Sequence, residues 1–497
     1  MKKNLLFLFI CLALLPVGYW GCSEKNLDLE PGQLTESAYF KTEEDFHRAL
    51  IGVYAKLTDF YWFNGNNPIH GFWQLPGDDI TTIGADPFEI FATLQSADGK
   101  IGSYYSLSYQ MINRANTLLE KINEESNVYT TANLKNYHKG EVLFLRGYVY
   151  FNLWNFYGTS PVITERIRLD QVDKLQPAGS TGTQLLNQAI ADLTESAGLL
   201  PKTWPVADRG RITSNAANGL LGKALLFRGT VTKTPADFSA ALVALNKVSG
   251  QLIAKFGDNF SASTENNEES LFEFQASQPG FDNVWLSNDF DNSIGSTSTY
   301  WGWYENHWSL FGAPPYIATK KLIASFDKDD PRLPLTCDAS TGAFKKYVIS
   351  DSKSQSGVAS TNNPRILRFA DVLLMRAEAL VQSGGSLSEA IGLINQVRTR
   401  ARNMGTGPNP ANYDAATAER SKVFGWIQNE RLLELAGEEG HRWSDLRRWH
   451  LGGVINLSAW DFSSARTDLG FNLKNLYYPI PQGELDLNPN VKQNTGY

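Results

Sequence analysis

Cysteine is nearly absent: the 497 residues hold three, Cys11, Cys22 and Cys337. Cys11 falls inside an apolar leader and Cys22 just after it, so Cys337 stands alone in the body. That excludes a disulfide framework once Cys22 is modified, and Cys337 is expected to be an inert thiol in or near a loop. An excess of positive charge is also missing. The formal net charge is -7, so no basic field invites nucleic acid, and DNA and RNA are excluded as partners. Past the leader no apolar run reaches the ~20 residues a membrane-spanning helix needs. The six His are scattered, and no HExxH pattern or Asp-rich calcium spacing occurs, so neither a metal nor a cofactor is expected. Aromatic residues are plentiful instead: 13 Trp, 20 Tyr and 27 Phe leave rings to spare for a binding surface after a core is filled.

The chain starts Met1-Lys2-Lys3-Asn4 and runs apolar from Leu5 to Val17. A short cationic segment, an apolar stretch of this length and a small residue before a Cys make a secretory signal. Gly21 supplies the small residue that lipoprotein signal peptidase needs before Cys22, although Tyr19 and Trp20 depart from the usual pattern. Residues 1–21 are therefore read as a signal peptide and Cys22 as a lipidated anchor. Several acyl chains on one Cys hold durably, where a single chain is marginal. Ser23 to Asp28 is polar and reads as a tether.

Helical periodicity recurs along the mature chain. Glu43 to Leu57 places Phe46, Leu50, Val53 and Leu57 on one face behind Thr42, a candidate N-cap. Further helices are expected over 105–122, 134–156, 183–200, 215–229, 236–249, 370–383 and 387–400. Two pairs look like hairpins: 215–228 with 238–248, and 368–381 with 387–400 across Gly384-Gly385. Ala377, Ala379 and Ala390 would let such helices approach closely. The pattern predicts a mainly α fold, a tetratricopeptide-like helical hairpin scaffold. Between the helices, 60–102, 261–315 and 327–363 are rich in Gly, Asn, Asp and aromatics. Loops this long in a compact protein are usually functional, and their aromatic content argues against disorder.

The most specific text is C-terminal. Glu430-Arg431-Leu432-Leu433-Glu434-Leu435 leads into Glu438-Glu439-Gly440-His441-Arg442 and Asp445-Leu446-Arg447-Arg448-Trp449, and the chain closes with Tyr478-Pro479-Ile480-Pro481 and Gln493-Asn494-Thr495-Gly496-Tyr497. With Arg376-Ala377-Glu378-Ala379, Asn395 to Ala401, Glu141 to Phe151 and Leu27-Asp28-Leu29-Glu30-Pro31, this resembles the SusD/RagB family of Bacteroidetes outer-membrane nutrient-binding lipoproteins, over nearly the whole mature chain. The resemblance implies one SusD-like domain over 22–497. Its expected parts are an N-terminal helical half at 22–260, a loop-rich insertion at 261–365 and a C-terminal helical half and tail at 366–497. It also implies a partner resembling SusC, a TonB-dependent transporter.

Read from the residues alone, these motifs are structural. Glu430 and Glu434 share a helical face, with Arg431 able to pair at neighbouring turns. Arg442, Asp445, Arg448 and Trp449 suit a charged and aromatic seam between helices. Glu434 and Glu438 could serve as a glycosidase pair, but so many Arg neighbours would keep both ionised, and no catalytic residue is expected. Sugars stack their apolar faces on Trp and Tyr while Asn and Asp bond the hydroxyls, and rigid loops expose such residues. The long insertions are therefore expected to form the ligand face, with Trp73, Asp78, Asn283, Trp285, Trp301 and Trp303 as candidate ligand contacts. Asp79 and Asp86 could be turn-formers only. The favoured reading is noncatalytic binding of oligo- or polysaccharide and its delivery to the transporter. Alternatives are an oligopeptide-binding RagB-like lipoprotein, a secreted glycoside hydrolase, and a helical scaffold for protein partners.

Overall fold

The computed structural model describes residues 36–61, 70–276, 299, 301–304, 314–348, 360–417 and 419–497. Helices dominate them. α1 (Glu43–Tyr54) starts at Thr42, whose hydroxyl accepts from the Asp45 amide while the Asp45 side chain returns to the Thr42 amide, a reciprocal capping box. α2 (Gly99–Glu124) starts at Asp98, which accepts from the amides of Lys100 and Ile101. α3 (Leu134–Phe156), α4 (Gln184–Leu199), α5 (Ser214–Thr232) and α6 (Pro235–Leu245) follow, then the short α7 (Lys320–Ser325). α8 (Phe369–Gln382), α9 (Leu387–Arg402), α10 (Arg420–Leu435), α11 (His441–Leu451) and α12 (Gln482–Leu487) complete the series.

Successive helices pack side by side: α2 on α3, α3 on α4, α4 on α5, α5 on α6, α6 on α8, and α8 on α9 and α10. This is the helical-hairpin scaffold the periodicity predicts. Gly384 at φ +82 and a hydrogen bond from the Gly385 amide to the Leu380 carbonyl (2.8 Å) end α8 and turn the chain into α9. Buried polar pairs pin the hairpins as well as apolar faces do. Arg146 on α3 grips Asp192 on α4 through two hydrogen bonds of 2.6 and 2.8 Å.

Two small antiparallel ladders interrupt the helices. β1 (Ile80–Thr82) pairs with β3 (Tyr316–Ala318), and β2 (Ser270–Glu273) pairs with β4 (Arg365–Arg368). The expected division at 365/366 falls inside β4, so the insertion and the C-terminal half share a strand. Cys337 is buried, and burial pushes its thiol up to about 12, which keeps it inert as expected.

Candidate functional site

Beneath the site lies a buried network of charges. Arg332 reaches Asp330, Glu430 and Glu434. Arg368 reaches Glu269 (2.8 Å), Glu434 (2.7 Å) and Glu438 (2.7 Å). Arg398 and Arg400 add further bonds to Glu430, Glu434 and Glu269. Burial alone would raise the Glu434 carboxyl, but Arg400, Arg368 and Arg332 outweigh it and hold it far below the usual carboxylate range. Arg368 and Lys346 likewise overcome burial at Glu438 and lower it. Neither carboxyl holds the proton a general acid must donate, which supports the seam reading. Arg431 departs from expectation. It turns away from Glu430 and Glu434 to bond Asp445 (2.6 Å) and Asp371 (2.7 Å), because one residue along a helix is about 100° around it. Arg448 closes the seam on Asp445 and, bidentately, on Glu378.

Lys346 carries this network up to an aromatic platform. Its ammonium donates to Glu438 Oε1 (2.7 Å) and to the carbonyls of Glu434 and Ala436. The next residue, Tyr347, lies flat under Trp301, with ring centroids 3.9 Å apart and planes 5° from parallel. The Trp301 indole also donates to the Asn362 carbonyl (3.0 Å), and Trp301 meets Tyr304 at 5.5 Å. Tyr61 stacks on Phe274 at 5.2 Å and meets Trp73 edge-on. His70 lies 5.0 Å from the Tyr316 ring and 6.1 Å from that of Tyr304.

These contacts join the points where segments 62–69, 277–298, 305–313 and 349–359 leave and re-enter the described chain. Tyr61 and Phe274 tie the first to the second, and His70 and Tyr304 tie the first to the third. Thr299 pairs with Ser360 through two main-chain hydrogen bonds (2.8 and 2.9 Å), tying the second to the fourth. Trp301 and Tyr347 tie the third to the fourth. Four stretches separated in sequence therefore start and finish on one base.

Half-buried Glu439 lies at this base, where the Tyr61 hydroxyl donates to its Oε2 (2.6 Å) and also meets the Tyr148 hydroxyl (2.7 Å). Its Oε1 is buried without a hydrogen-bond partner among the described residues. Burial pushes this carboxyl up to about 7, against the Tyr61 hydrogen bond and the Lys223 charge. Asp79 is raised by burial to about 6, while the Gly437 amide donates to it at 3.0 Å. Gly440, at φ +61, lets the C-terminal motif touch the Trp73 carbonyl where a Cβ would collide.

Three of the expected ligand contacts are interior in this structure. Trp73 is 6% exposed, Trp301 1% and Asp78 0%. Asp78 bonds Arg442, Lys321 (2.7 Å) and the Trp460 indole (3.0 Å). Neighbouring rings pack against Trp73 and Trp301, and ion pairs hold Asp78, so the faces of all three are turned inward and not offered to solvent. Asn283 and Trp285 lie outside the described residues, as does the side chain of Trp303. Asp86 is the turn-former considered for it: it caps a short helix by accepting from the Phe88 amide. Glu439 lies outside the expected contacts, and Asp79, a possible turn-former from the sequence, instead accepts from the distant Gly437 amide. Their one signal is the C-terminal motif and the acidic pair at 78–79, and neither tells which carboxyl is buried. No group of His, Cys, Asp or Glu among the described residues could hold a metal ion. No helix among them is long and apolar enough to cross a membrane.

The helical scaffold is that of solved SusD-family structures, and two models of that family match the chain. The SusD family model matches residues 338–497, and a SusD-like model described as starch-binding associating with outer membrane matches residues 80–226. SusD-like protein P2 of Formosa agariphila is 24% identical over 540 residues, covering 100% of both chains. Starch-binding protein SusD of Bacteroides thetaiotaomicron is 32% identical over 152 residues, 30% of this chain and 24% of that one. Among solved structures, a SusD homolog from Bacteroides thetaiotaomicron matches with a TM-score of 0.76 at 21% identity, covering 93% of this chain and 99% of its own. A laminarin-binding SusD-like protein matches with a TM-score of 0.71 at 25% identity, covering 92% and 100%.

Proposed function

We propose that this protein is a noncatalytic, cell-surface binder of oligo- or polysaccharide that passes its ligand to a TonB-dependent transporter resembling SusC. It is held at the outer membrane by lipid on Cys22. The observation that carries the reading is the convergence of four segments on one aromatic, ion-braced base. Such a base fixes where the segments it carries present side chains, which is how a rigid scaffold supports recognition. Similar proteins named as laminarin-binding, starch-binding and surface glycan-binding support a sugar ligand. Asn283, Trp285 and Trp303 are the side chains proposed to meet it, with Trp73, Asp78 and Trp301 holding the base beneath them. Depressed Glu434 and Glu438 support binding without hydrolysis.

The test is affinity gel electrophoresis of the soluble form starting after Cys22, against a panel of polysaccharides. Retardation by one glycan without chain shortening, lost on Trp285→Ala or Trp303→Ala at unchanged fold, is the expected result. Hydrolysis by pure protein would sink the noncatalytic account. Silence across the panel with capture of peptides from a digest would move the ligand class to oligopeptide.

A further inference from the structure

A second open cleft of about 720 Å³ lies away from the aromatic base. The β2–β4 ladder separates the two: the base adjoins its Phe274–Pro364 end, while the cleft begins at Phe369, bonded to Glu269 at the other end. The cleft is walled by Phe369 and Arg376 of α8, by Gly392, Gln396 and Arg400 of α9, and by Asn403 just beyond. Its size falls within the roughly 300–1,000 Å³ typical of small-molecule sites.

Arg376 is the unusual member. Arg368, Arg398 and Arg400 each engage two or more carboxylates. The Arg376 side chain is half-buried, its Nε is buried with no hydrogen-bond partner, and no ion pair or hydrogen bond engages it among the described residues. The carboxylates bonded to cleft residues are already committed: Glu269 to Arg368 and Arg400, and Glu268 to Gln251. Arg400 likewise leaves its Nε buried and unbonded. A partly desolvated guanidinium without a counter-charge is costly, and an anion of matching fork geometry offsets that cost. The exposed amides of Gln396 and Asn403, without hydrogen bonds inside the described chain, can donate and accept as sugar hydroxyls require. Gly392 lies inside α9, where glycine costs helix stability, and a Cβ there meets nothing within 4 Å. Its missing side chain keeps the cleft open.

We infer that this cleft binds an acidic sugar, carboxylated or sulfated, with its anionic group on Arg376 and its hydroxyls on Gln396 and Asn403. The site is independent of the aromatic base and draws an anion to a chain of net charge -7.

The full-length chain in detergent, titrated calorimetrically with trigalacturonate, sulfated galactotriose, neutral galactotriose and triglutamate, tests this. Binding of one of the two acidic sugars is expected, and which one responds tells carboxylate from sulfate. Affinity should fall with added salt. Arg376→Gln should weaken it by about tenfold or more. Gly392→Phe, whose Cβ meets nothing within 4 Å and whose ring would occupy the cleft, should abolish it at unchanged melting temperature, and Trp285→Ala should leave it intact. Failure of both acidic sugars to bind overturns the proposal. So does equal binding of the neutral trisaccharide, tighter binding of triglutamate, or affinity indifferent to both cleft substitutions.

Discussion

The Tyr61 hydroxyl donates to Glu439 Oε2 at 2.6 Å, joining residues 378 positions apart. The contact fastens the end of the first helical segment to the C-terminal motif directly under the proposed ligand face. It also places a carboxyl where burial pushes it up to about 7 from 4.5. Between those values the folded chain holds a proton that the unfolded chain has released, so this group's contribution to stability declines as pH rises through the window.

Glu439→Gln removes that titration while keeping an acceptor for Tyr61. The variant should melt above the parent at pH 8, by on the order of 1–2 kcal/mol once partial exposure is allowed for, and level with it at pH 4. Thermal melts at the two pH values check this. A gap of the same size at both would place the effect in packing.

Asp78 works with the opposite sign. Burial would raise it, but Arg442 and Lys321 outweigh burial and hold it at about 2, below its ordinary 3.8. The pair's stability is present above pH 3.8 and is lost as pH falls toward 2. Asp78→Asn should cost about 2 kcal/mol at pH 7, and urea titrations should find the deficit narrowing over that acid range.

Arg368→Met strips three buried carboxylates of a shared partner. Breaking a buried ion network from one side costs about 3–5 kcal/mol, since the orphaned charges stay behind. Urea denaturation at pH 7 reads it directly, and a loss below about 1 kcal/mol would mean that Arg400 and Lys346 suffice for Glu434 and Glu438.

Trp301→Ala should lower stability by about 3–5 kcal/mol, because it removes a fully buried ring and its bond to Asn362. Trp285→Ala and Trp303→Ala should leave the melt within about 0.5 kcal/mol while abolishing glycan retardation. Stability and retention measured on the same preparations separate bracing residues from contacting ones.

Much of the scaffold was legible in the sequence. α3 occupies the span its periodicity marks, Thr42 caps α1, and the double glycine ends α8. α2 starts six residues before Tyr105 because its signal is a cap, Asp98, placed ahead of glycine and lysine that carry no apolar stripe. The ladders left no trace: their strands have three or four residues and pair across long separations, such as Ile80 with Ala318, so no alternation develops. The charged seam was visible, but not its pairings, since Arg431 finds Asp371 and Asp445 on neighbouring helices. Trp73 and Trp301 looked like binding residues for a related reason. An aromatic in an irregular stretch has no periodic face, so its burial depends on distant partners such as Tyr347 that sequence spacing does not reveal.

The two main-chain hydrogen bonds between Thr299 and Ser360 have a practical consequence. Together with the Thr299 hydroxyl, which donates to the Ser360 carbonyl at 3.1 Å, they clamp the stems of two segments with no help from 277–298, so those residues can be rewritten without loosening the clamp. A library randomised over 277–298, with Ala276, Thr299 and Ser360 left untouched, should yield folded variants that differ in ligand choice. On such a chassis, specificity can diversify quickly while the architecture stays put.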